Sequence, residues 1–250
     1  MKTVIRFTIF GLVLLIVASV QAEGTIKSVI AGAVADTTRP ADARARDQAR
    51  KPAEILIFSG IAEGDKIVEI TPGGGYYTAL LSRVVGDQGH VYAVDPERLF
   101  EFFPQGRDMF SDYIESDPRK NVSFSSQFLD DIKIPGEVDQ IWMVLYYHDT
   151  IWTGEDRVAM NRAFYDMLKP GGVYFVVDHH GLPGAGDGIT RELHRMDAAT
   201  AKVEIEDAGF TLDAISDVLS NPSDPRDDSV FGEERRGKTD RFVWRYVKPN

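Results

Sequence analysis

The chain has 250 residues and a formal net charge of −11, with 28 Lys and Arg against 39 Asp and Glu. Such an acidic chain repels phosphate backbones, so we predict that neither DNA nor RNA is its partner. The sequence contains no Cys, which excludes a disulfide framework, a thiolate metal site and a lipid-anchored Cys.

The amino terminus has the three-part pattern of a secretory signal peptide. Lys2 and Arg6 precede an apolar run from Phe7 to Val20, and the small residue Ala22 marks a cleavage site. The run is shorter than the roughly 20 apolar residues of a membrane-spanning helix, although an uncleaved anchor is the alternative. We therefore expect residues 1–22 to be removed, leaving an exported protein, periplasmic or secreted, with no stable membrane span.

The segment after the signal peptide divides into a linker and a helical region. Residues 23–38 are small and weakly patterned, which predicts a linker, and a helical pattern follows from Pro40 to Ile57. Pro52 opens a second helix within this region, because proline is favoured at the first helical position. We expect residues 23–53 to form a linker and N-terminal helix, and residues 54–250 to form one domain.

Strands and helices alternate through the remainder of the chain. Predicted strands are Lys66–Ile70, His90–Val94, Asn121–Ser125, Val138–Leu145, Val173–Val177, one starting at Gly209, and Arg241–Val247. Predicted helices are Tyr76–Val85, part of Arg98–Ile114, Glu155–Leu168 and Ile189–Ala208. This alternation predicts a Rossmann-like doubly wound α/β sheet, mostly parallel, with helices on both faces. No helix separates the final two strands, so the last strand is predicted to be antiparallel.

A glycine-rich turn follows the first of these strands. Glu69 and Ile70 end the strand, and the run Thr71-Pro72-Gly73-Gly74-Gly75 leads into the helix that starts at Tyr76. In open α/β sheets ligands bind beyond the carboxyl ends of the strands, and glycine lets the backbone approach them closely. The start of the helix presents free N–H groups, which would hold an anionic group such as a carboxylate.

Asp95 closes the second strand, 26 positions after Glu69. A carboxylate at this place can accept hydrogen bonds from two ribose hydroxyls. Dinucleotide binding competes with this interpretation, but its fingerprint requires a third small residue where this chain has Thr78. An NAD-dependent oxidoreductase is therefore an alternative that Thr78 and the terminal hairpin disfavour.

These motifs resemble those of the class I S-adenosylmethionine-dependent methyltransferases. The stretch Val68–Thr78 is similar to the acidic-x-x-x-Gly-x-Gly loop of that family, although Thr71-Pro72 stands where many members carry Gly. Asp95 matches the ribose-binding acid of the family, Leu168–Gly172 resembles its turn before strand five, and the terminal hairpin resembles its antiparallel strand seven. The resemblance covers about Glu54 to Val247.

The resemblance implies a seven-stranded sheet, S-adenosyl-L-methionine as cofactor, and methyl transfer to an acceptor that we expect to be a small molecule. The implied cofactor-binding residues are Glu69, Pro72, Gly73, Gly74, Gly75, Tyr77 and Asp95, with Gln127 and Phe128 after strand three as adenine contacts. More narrowly, the chain looks like a group of predicted bacterial methyltransferases with export signals. A non-catalytic module of the same fold is an alternative, because S-adenosylmethionine is made in the cytosol.

Candidate catalytic residues follow the fourth and fifth predicted strands. His148-Asp149 comes after Val138–Leu145, and Asp178-His179-His180 comes after Val173–Val177. Methyl transfer requires alignment of the acceptor and sometimes removal of its proton, for which a His oriented by a carboxylate is suited. We predict His148 as general base with Asp149 or Asp178 as its orienting partner. The alternative is that these residues cap the strands and bind water.

A metal site is a further alternative at the same edge of the sheet. Some small-molecule O-methyltransferases hold Mg²⁺ with acids after strands four and five, and Asp149, Asp178 and His179 occupy comparable places. Magnesium prefers oxygen ligands, whereas a His-rich site suits zinc or manganese better. We expect no metal in the catalytic site.

Overall fold

The computed structural model describes residues 24–250. The predicted signal peptide, residues 1–22, lies outside the described residues. From residue 24 onward, no helix is long and apolar enough to cross a membrane.

Helices and strands alternate after the amino-terminal helices, as predicted. The α-helices are α1 (residues 24–35), α2 (Ala41–Ala45), α3 (Asp47–Arg50), α4 (Pro52–Ser59), α5 (Tyr76–Val85), α6 (Leu99–Phe102), α7 (Met109–Ser116), α8 (Asp149–Thr153), α9 (Arg157–Met167), α10 (Thr190–Leu193) and α11 (Ala198–Asp207). The strands are β1 (Lys66–Ile70), β2 (His90–Pro96), β3 (Val122–Gln127), β4 (Val138–Val144), β5 (Leu168–His179), β6 (Thr211–Ser216) and β7 (Arg241–Val247).

The seven strands form one sheet in the order β3-β2-β1-β4-β5-β7-β6. Neighbouring strands run parallel except at β7, which is antiparallel to both β5 and β6. This arrangement confirms the predicted doubly wound α/β fold with an antiparallel last strand. The chain winds outward from the adjacent strands β1 and β4 in opposite directions, so a crevice opens beyond their carboxyl ends.

Apolar side chains cover both faces of the sheet. In β1, Val68 and Ile70 belong to one apolar cluster, and Ile67 belongs to the cluster on the opposite face. Trp142 of β4 and Phe175 of β5 pack together with their ring centroids 4.4 Å apart. Because the central strands are buried on both faces, they appear in the sequence as nearly continuous apolar runs.

The linker predicted over residues 23–38 is wrong for most of its length. Residues 24–35 form helix α1, and Ile30 of this helix is 1% exposed within the apolar cluster that also contains Ile55. Small residues allow close helix packing as readily as they form a flexible linker, so composition alone did not separate the two. The domain boundary at residue 54 stays a prediction, although α1 packs on the same core as the residues after it.

The single helix predicted over Ile189–Ala208 is broken in two. His194 follows α10 in a left-handed conformation with φ 51°, and α11 begins only at Ala198. Arg195 at the break is fully buried, and its guanidinium lies 2.8 Å from the carboxylate of Asp224. The prediction of a continuous helix is therefore wrong, because a buried long-range ion pair outweighs the local helical pattern.

The predicted turn Leu168–Gly172 forms an irregular start of β5. β4 pairs with β5 at Leu168 and then at Val173, with a shift of register between the two pairs. Gly171 is left-handed with φ 74°, and its N–H donates to the carbonyl of Lys248 beyond β7. The turn residues therefore extend the pairing of β5 with β7 and do not only end α9.

Candidate functional site

The glycine turn after β1 leads the chain out of the sheet and into α5. Thr71 is left-handed with φ 58°, and its N–H donates to the carbonyl of Val94 in β2. Gly73 is left-handed with φ 53°, and a Cβ built there would meet no atom of the described residues within 4 Å. The space over Gly73 is therefore open, as required where a ligand approaches the backbone.

The side chain of Glu69, at the end of β1, is positioned by a hydrogen bond from the following helix, α5. Its side chain is 4% exposed and accepts a hydrogen bond of 2.5 Å from the hydroxyl of Thr78. Burial raises the pKa of the Glu69 carboxyl to about 8, although the Thr78 hydrogen bond acts in the opposite direction. Thr78, which the sequence indicated only as a departure from the dinucleotide fingerprint, thus positions a predicted cofactor residue.

Asp95 at the end of β2 is buried without a hydrogen-bond donor. Its carboxylate is 4% exposed and faces a cavity, and no side chain or backbone group of the described residues donates to it. Burial raises its pKa to about 7. A buried carboxylate is costly unless donors satisfy it, so this position favours a ligand that carries hydroxyl or amino groups.

The cavity next to Asp95 has a volume of about 600 Å³ and extends from the glycine turn to α8 and α10. Its polar lining includes Gly73, Asp149, Arg191 and His194. Its apolar lining consists of Leu99, Phe100, Phe102, Phe103, Met109, Trp152 and Phe231. Size and lining together suit a small ligand with aromatic or other apolar parts.

A smaller recess of about 250 Å³ adjoins this cavity at the glycine turn. It is lined by Arg46, Arg50, Glu69, Ile70, Thr71, Pro72, Gly73, Gly74, Tyr76, Tyr77, Met109, Val144 and Leu145. The guanidinium carbon of Arg50 lies 4.4 Å from the centroid of the Tyr76 ring. The amino-terminal helices thus bring two positive charges to the glycine turn, which suits a carboxylate. The sequence analysis assigned no role to Arg46 or Arg50, since only the packing of α2 and α3 places them here.

Gln127 and Phe128 lie outside the lining of both cavities. The Gln127 side chain holds its own loop, since its Oε1 accepts the N–H of Lys133 at 2.8 Å. The Phe128 side chain is 43% exposed, with the Arg98 guanidinium carbon 5.3 Å from its ring centroid. Their contact with an adenine ring therefore stays a prediction.

His148 is buried between the ends of β4 and β5 and contacts two carboxylates. Its Nδ1 lies 2.6 Å from Oδ1 of Asp178, and its Nε2 lies 2.9 Å from Oδ1 of Asp149. The backbone N–H of His148 also donates to Asp178, at 2.8 Å. Both carboxylates that the sequence offered as orienting partners therefore contact His148, on different ring nitrogens.

The charges of this cluster set its protonation. Burial alone would lower the pKa of His148, but Asp178 and Asp149 outweigh burial and raise it to about 10. Burial likewise opposes ionisation of Asp149, yet hydrogen bonds from His148 and His194 lower its pKa below the usual range. The two carboxylates therefore favour the protonated form of His148. An imidazolium accepts no proton, so the predicted general-base role requires that the Nε2 proton first leave.

His194 reaches the same cluster from the break between α10 and α11. Its Nδ1 lies 2.9 Å from Oδ1 of Asp149 and 3.2 Å from Nε2 of His148. Asp149 and His194 line the cavity, whereas His148 and Asp178 lie behind them. Nothing in the local sequence singles out His194, because its position depends on a helix break that a distant ion pair maintains.

The metal ligands considered from the sequence, Asp149, Asp178 and His179, are not brought together. Asp178 contacts His148, and Nδ1 of His179 lies 2.8 Å from the hydroxyl of Thr239. Burial holds the pKa of His179 well below its usual value. Within residues 24–250, the His and acidic side chains whose ligand atoms converge are instead His148, Asp149 and His194.

Comparison with curated proteins finds relatives at low identity. The Vibrio parahaemolyticus serotype O3:K6 ubiquinone/menaquinone biosynthesis C-methyltransferase UbiE is 26% identical over 180 residues. The match covers 61% of this chain and 66% of that protein, slightly less than two thirds of its length. No protein-family model matches the chain.

Solved structures agree with the present fold over most of its length. A methyltransferase dependent on S-adenosylmethionine (SAM) from Aquifex aeolicus has a TM-score of 0.57 at 18% identity, covering 81% of this chain and 98% of that one. This protein has the fold of the SAM-dependent methyltransferases. The [4+2]-cyclase SpnF shares it as well, with a TM-score of 0.58 at 14% identity over 86% of this chain and 85% of that one. The fold alone therefore does not identify the reaction, which depends on the residues of the site.

Proposed function

We propose that this protein binds S-adenosyl-L-methionine at the glycine turn and transfers its methyl group to a small, largely apolar acceptor. The observation that carries this proposal is Asp95, a buried carboxylate that faces the cavity without a donor. The two hydroxyls of a ribose would satisfy it. The likeness to UbiE and to methyltransferase structures gives independent support.

The cofactor would extend along the carboxyl ends of β1 and β2. With its ribose on Asp95, its methionine part would pass over Gly73 into the recess, where Arg46 and Arg50 would meet its carboxylate. The amino terminus of α5 adds the positive end of a ten-residue helix dipole to the same place. Burial raises the pKa of Glu69, behind the turn, to about 8, and the positive charge of the bound cofactor would favour its ionised form.

The acceptor would occupy the cavity beyond the cofactor. Aromatic side chains dominate its apolar wall, and UbiE is named for quinone biosynthesis, so an aromatic acceptor such as a phenol or a quinol fits best. Asp149 and His194 line this part of the cavity and would align a polar group of the acceptor for in-line displacement. His148 and Asp178 would hold these two residues in place from behind.

Calorimetry with S-adenosylmethionine, S-adenosylhomocysteine and NAD tests the cofactor. We expect the first two to bind and NAD to show no binding. Arg50→Ala is expected to raise the dissociation constant for S-adenosylhomocysteine about tenfold, because one charge-assisted hydrogen bond contributes roughly 1.5–3 kcal/mol. The matched control is Arg44→Ala, an exposed arginine of the same segment that does not line the recess.

Binding of NAD alone would overturn the proposal. Equal affinities of Arg50→Ala and Arg44→Ala for S-adenosylhomocysteine would contradict the placement of the cofactor carboxylate at Arg50. Methyl transfer from labelled S-adenosylmethionine to phenol and quinol probes then separates an enzyme from a binding module. Intact cofactor binding without transfer to any acceptor would favour the non-catalytic module.

We also propose that the mature protein is exported, on the basis of the charged, apolar and small-residue pattern of residues 1–22. Expression of the full chain in a bacterial host and mass measurement of the purified product tests this proposal. We expect a chain that starts at Glu23 in the periplasmic or extracellular fraction. An intact chain in the cytosolic fraction would contradict export.

A further inference from the structure

Three ligand atoms from two distant segments converge at the wall of the acceptor cavity. They are Nε2 of His148, Oδ1 of Asp149 and Nδ1 of His194. The carboxylate oxygen lies 2.9 Å from each nitrogen, and the two nitrogens lie 3.2 Å apart. The three atoms therefore form a nearly equilateral triangle.

This triangle has the dimensions of one face of a metal coordination sphere. Bonds from a first-row metal to imidazole nitrogen or carboxylate oxygen are about 2.0–2.2 Å long, so neighbouring ligand atoms at right angles lie about 3 Å apart. Two imidazoles and one carboxylate on a single face, with the remaining positions open, are a recurrent ligand set for divalent iron, and imidazoles also suit zinc and manganese.

Asp178 supplies the outer carboxylate that such a site requires. Its Oδ1 lies 2.6 Å from Nδ1 of His148, so the proton of the neutral ring is held on Nδ1. The lone pair of Nε2 then points toward Asp149 and His194. The indole N–H of Trp152 donates to Oδ1 of Asp149 at 2.7 Å and fixes that carboxylate as well.

His194 is held in place at a cost in backbone energy. Its left-handed conformation, with φ 51°, is uncommon for residues other than glycine, although His is among the side chains that adopt it more often than most. The buried ion pair between Arg195 and Asp224 maintains the break that turns the imidazole toward Asp149. Strain of this kind persists where the surrounding structure positions a functional group.

Without a cation, the same triangle is poorly satisfied. Three nitrogen atoms, from His148, His194 and Trp152, then lie within hydrogen-bond distance of the single oxygen Oδ1 of Asp149. The two ring nitrogens also lie 3.2 Å apart, so a proton on only one of them fits between the rings. A metal ion at the centre of this face would bind all three ligand atoms at once.

We propose that His148, Asp149 and His194 bind one first-row divalent metal ion, with Asp178 as positioning residue, and that its open positions face the acceptor cavity. Asp149 and His194 line that cavity, so an oxygen of the acceptor would complete the coordination sphere. Metal binding itself does not depend on the proposed methyl transfer, because no cofactor residue is among the ligands, whereas the contact with the acceptor rests on the proposed function.

Titration of the EDTA-treated full chain with Co²⁺, followed by visible absorption and calorimetry, tests the site. We expect one Co²⁺ per chain with a dissociation constant in the micromolar range or below. His194→Asn removes the imidazole but keeps a residue that tolerates the left-handed conformation, and it should weaken binding at least tenfold. Asp178→Asn should weaken binding about tenfold while the Co²⁺ absorption bands keep their positions, since all three ligands remain.

The matched control is His90→Ala, which removes a partly exposed histidine at the amino end of β2, at the opposite edge of the sheet. It should bind Co²⁺ as the unchanged chain does. Asp149→Asn repeats the test if His194→Asn fails to fold by circular dichroism. Absence of saturable binding in the unchanged chain, or equal affinity in the ligand variants and the control, overturns the metal site.

Discussion

Asp95→Asn is expected to weaken binding of S-adenosylhomocysteine about 100-fold. The carboxylate would accept two hydrogen bonds from the ribose, and an amide replaces one charged acceptor with a donor that faces a hydroxyl. Hydrogen bonds to charged groups contribute roughly 1.5–3 kcal/mol each, and 1.4 kcal/mol corresponds to a factor of ten. Calorimetry at pH 8 gives the two dissociation constants.

The same carboxylate should make binding depend on pH. Burial raises the pKa of Asp95 to about 7, so at pH 6 the free protein holds it mostly protonated. The ribose favours the ionised form, so ligand binding releases a proton, and affinity rises as pH increases from 6 to 8 by about tenfold. In Asp95→Asn the contribution of Asp95 to the pH dependence of affinity disappears. The contribution of Glu69, whose pKa is about 8, remains.

Two comparisons separate binding from folding in this experiment. Asp95→Asn removes a buried ionisable group without a partner, so its melting temperature at pH 8 should equal or exceed that of the unchanged chain. Asp87→Asn, at an exposed turn after α5, is the matched control and should leave affinity unchanged. Affinity in Asp95→Asn within twofold of this control would contradict the ribose assignment.

Gly75→Ala is expected to destabilise the fold by about 3 kcal/mol. Gly75 has φ 71°, which costs an alanine about 1–2 kcal/mol, and its Cβ would lie 2.2 Å from Cγ of the Tyr113 ring. Overpacking of this kind adds typically 1–3 kcal/mol. For a domain of this size the melting temperature should fall by about 10 °C, measured by circular dichroism.

Gly74→Ala is the matched control within the same turn. A Cβ there would meet no atom of the described residues within 4 Å, and its backbone is not left-handed. Its stability should stay within about 0.5 kcal/mol of the unchanged chain. Because Gly74 lines the recess, affinity for S-adenosylhomocysteine should still fall. Equal melting temperatures of the two variants would contradict the close packing of Tyr113 on the turn.

Elements with strong local patterns were predicted with the bounds that the structure shows. β1 (Lys66–Ile70), α5 (Tyr76–Val85) and β7 (Arg241–Val247) are examples. Each combines a clear apolar periodicity with a glycine or a polar segment at its ends, so propensity and burial agree. The helix predicted over Ile189–Ala208 failed because the Arg195–Asp224 pair acts across 29 positions and leaves no local signal.

Within the site, the same division holds between local and long-range features. Glu69, the glycine turn and Asp95 lie at the ends of adjacent strands, so the topology of a parallel sheet places them together once the strands are known. His148 and Asp178 follow the same rule at β4 and β5, and their contact was predicted as one of two options.

The sequence by itself determined the order of the strands along the chain, the doubly wound sheet, the glycine turn after β1 and the acid at the end of β2. It could do so because apolar periodicity and glycine conformation act within a few residues. Only the tertiary structure decided that Arg50 reaches the recess and that His194 joins Asp149 at the cavity wall. Those positions depend on helix packing and buried ion pairs between distant segments, whose energies do not appear in any local stretch of sequence.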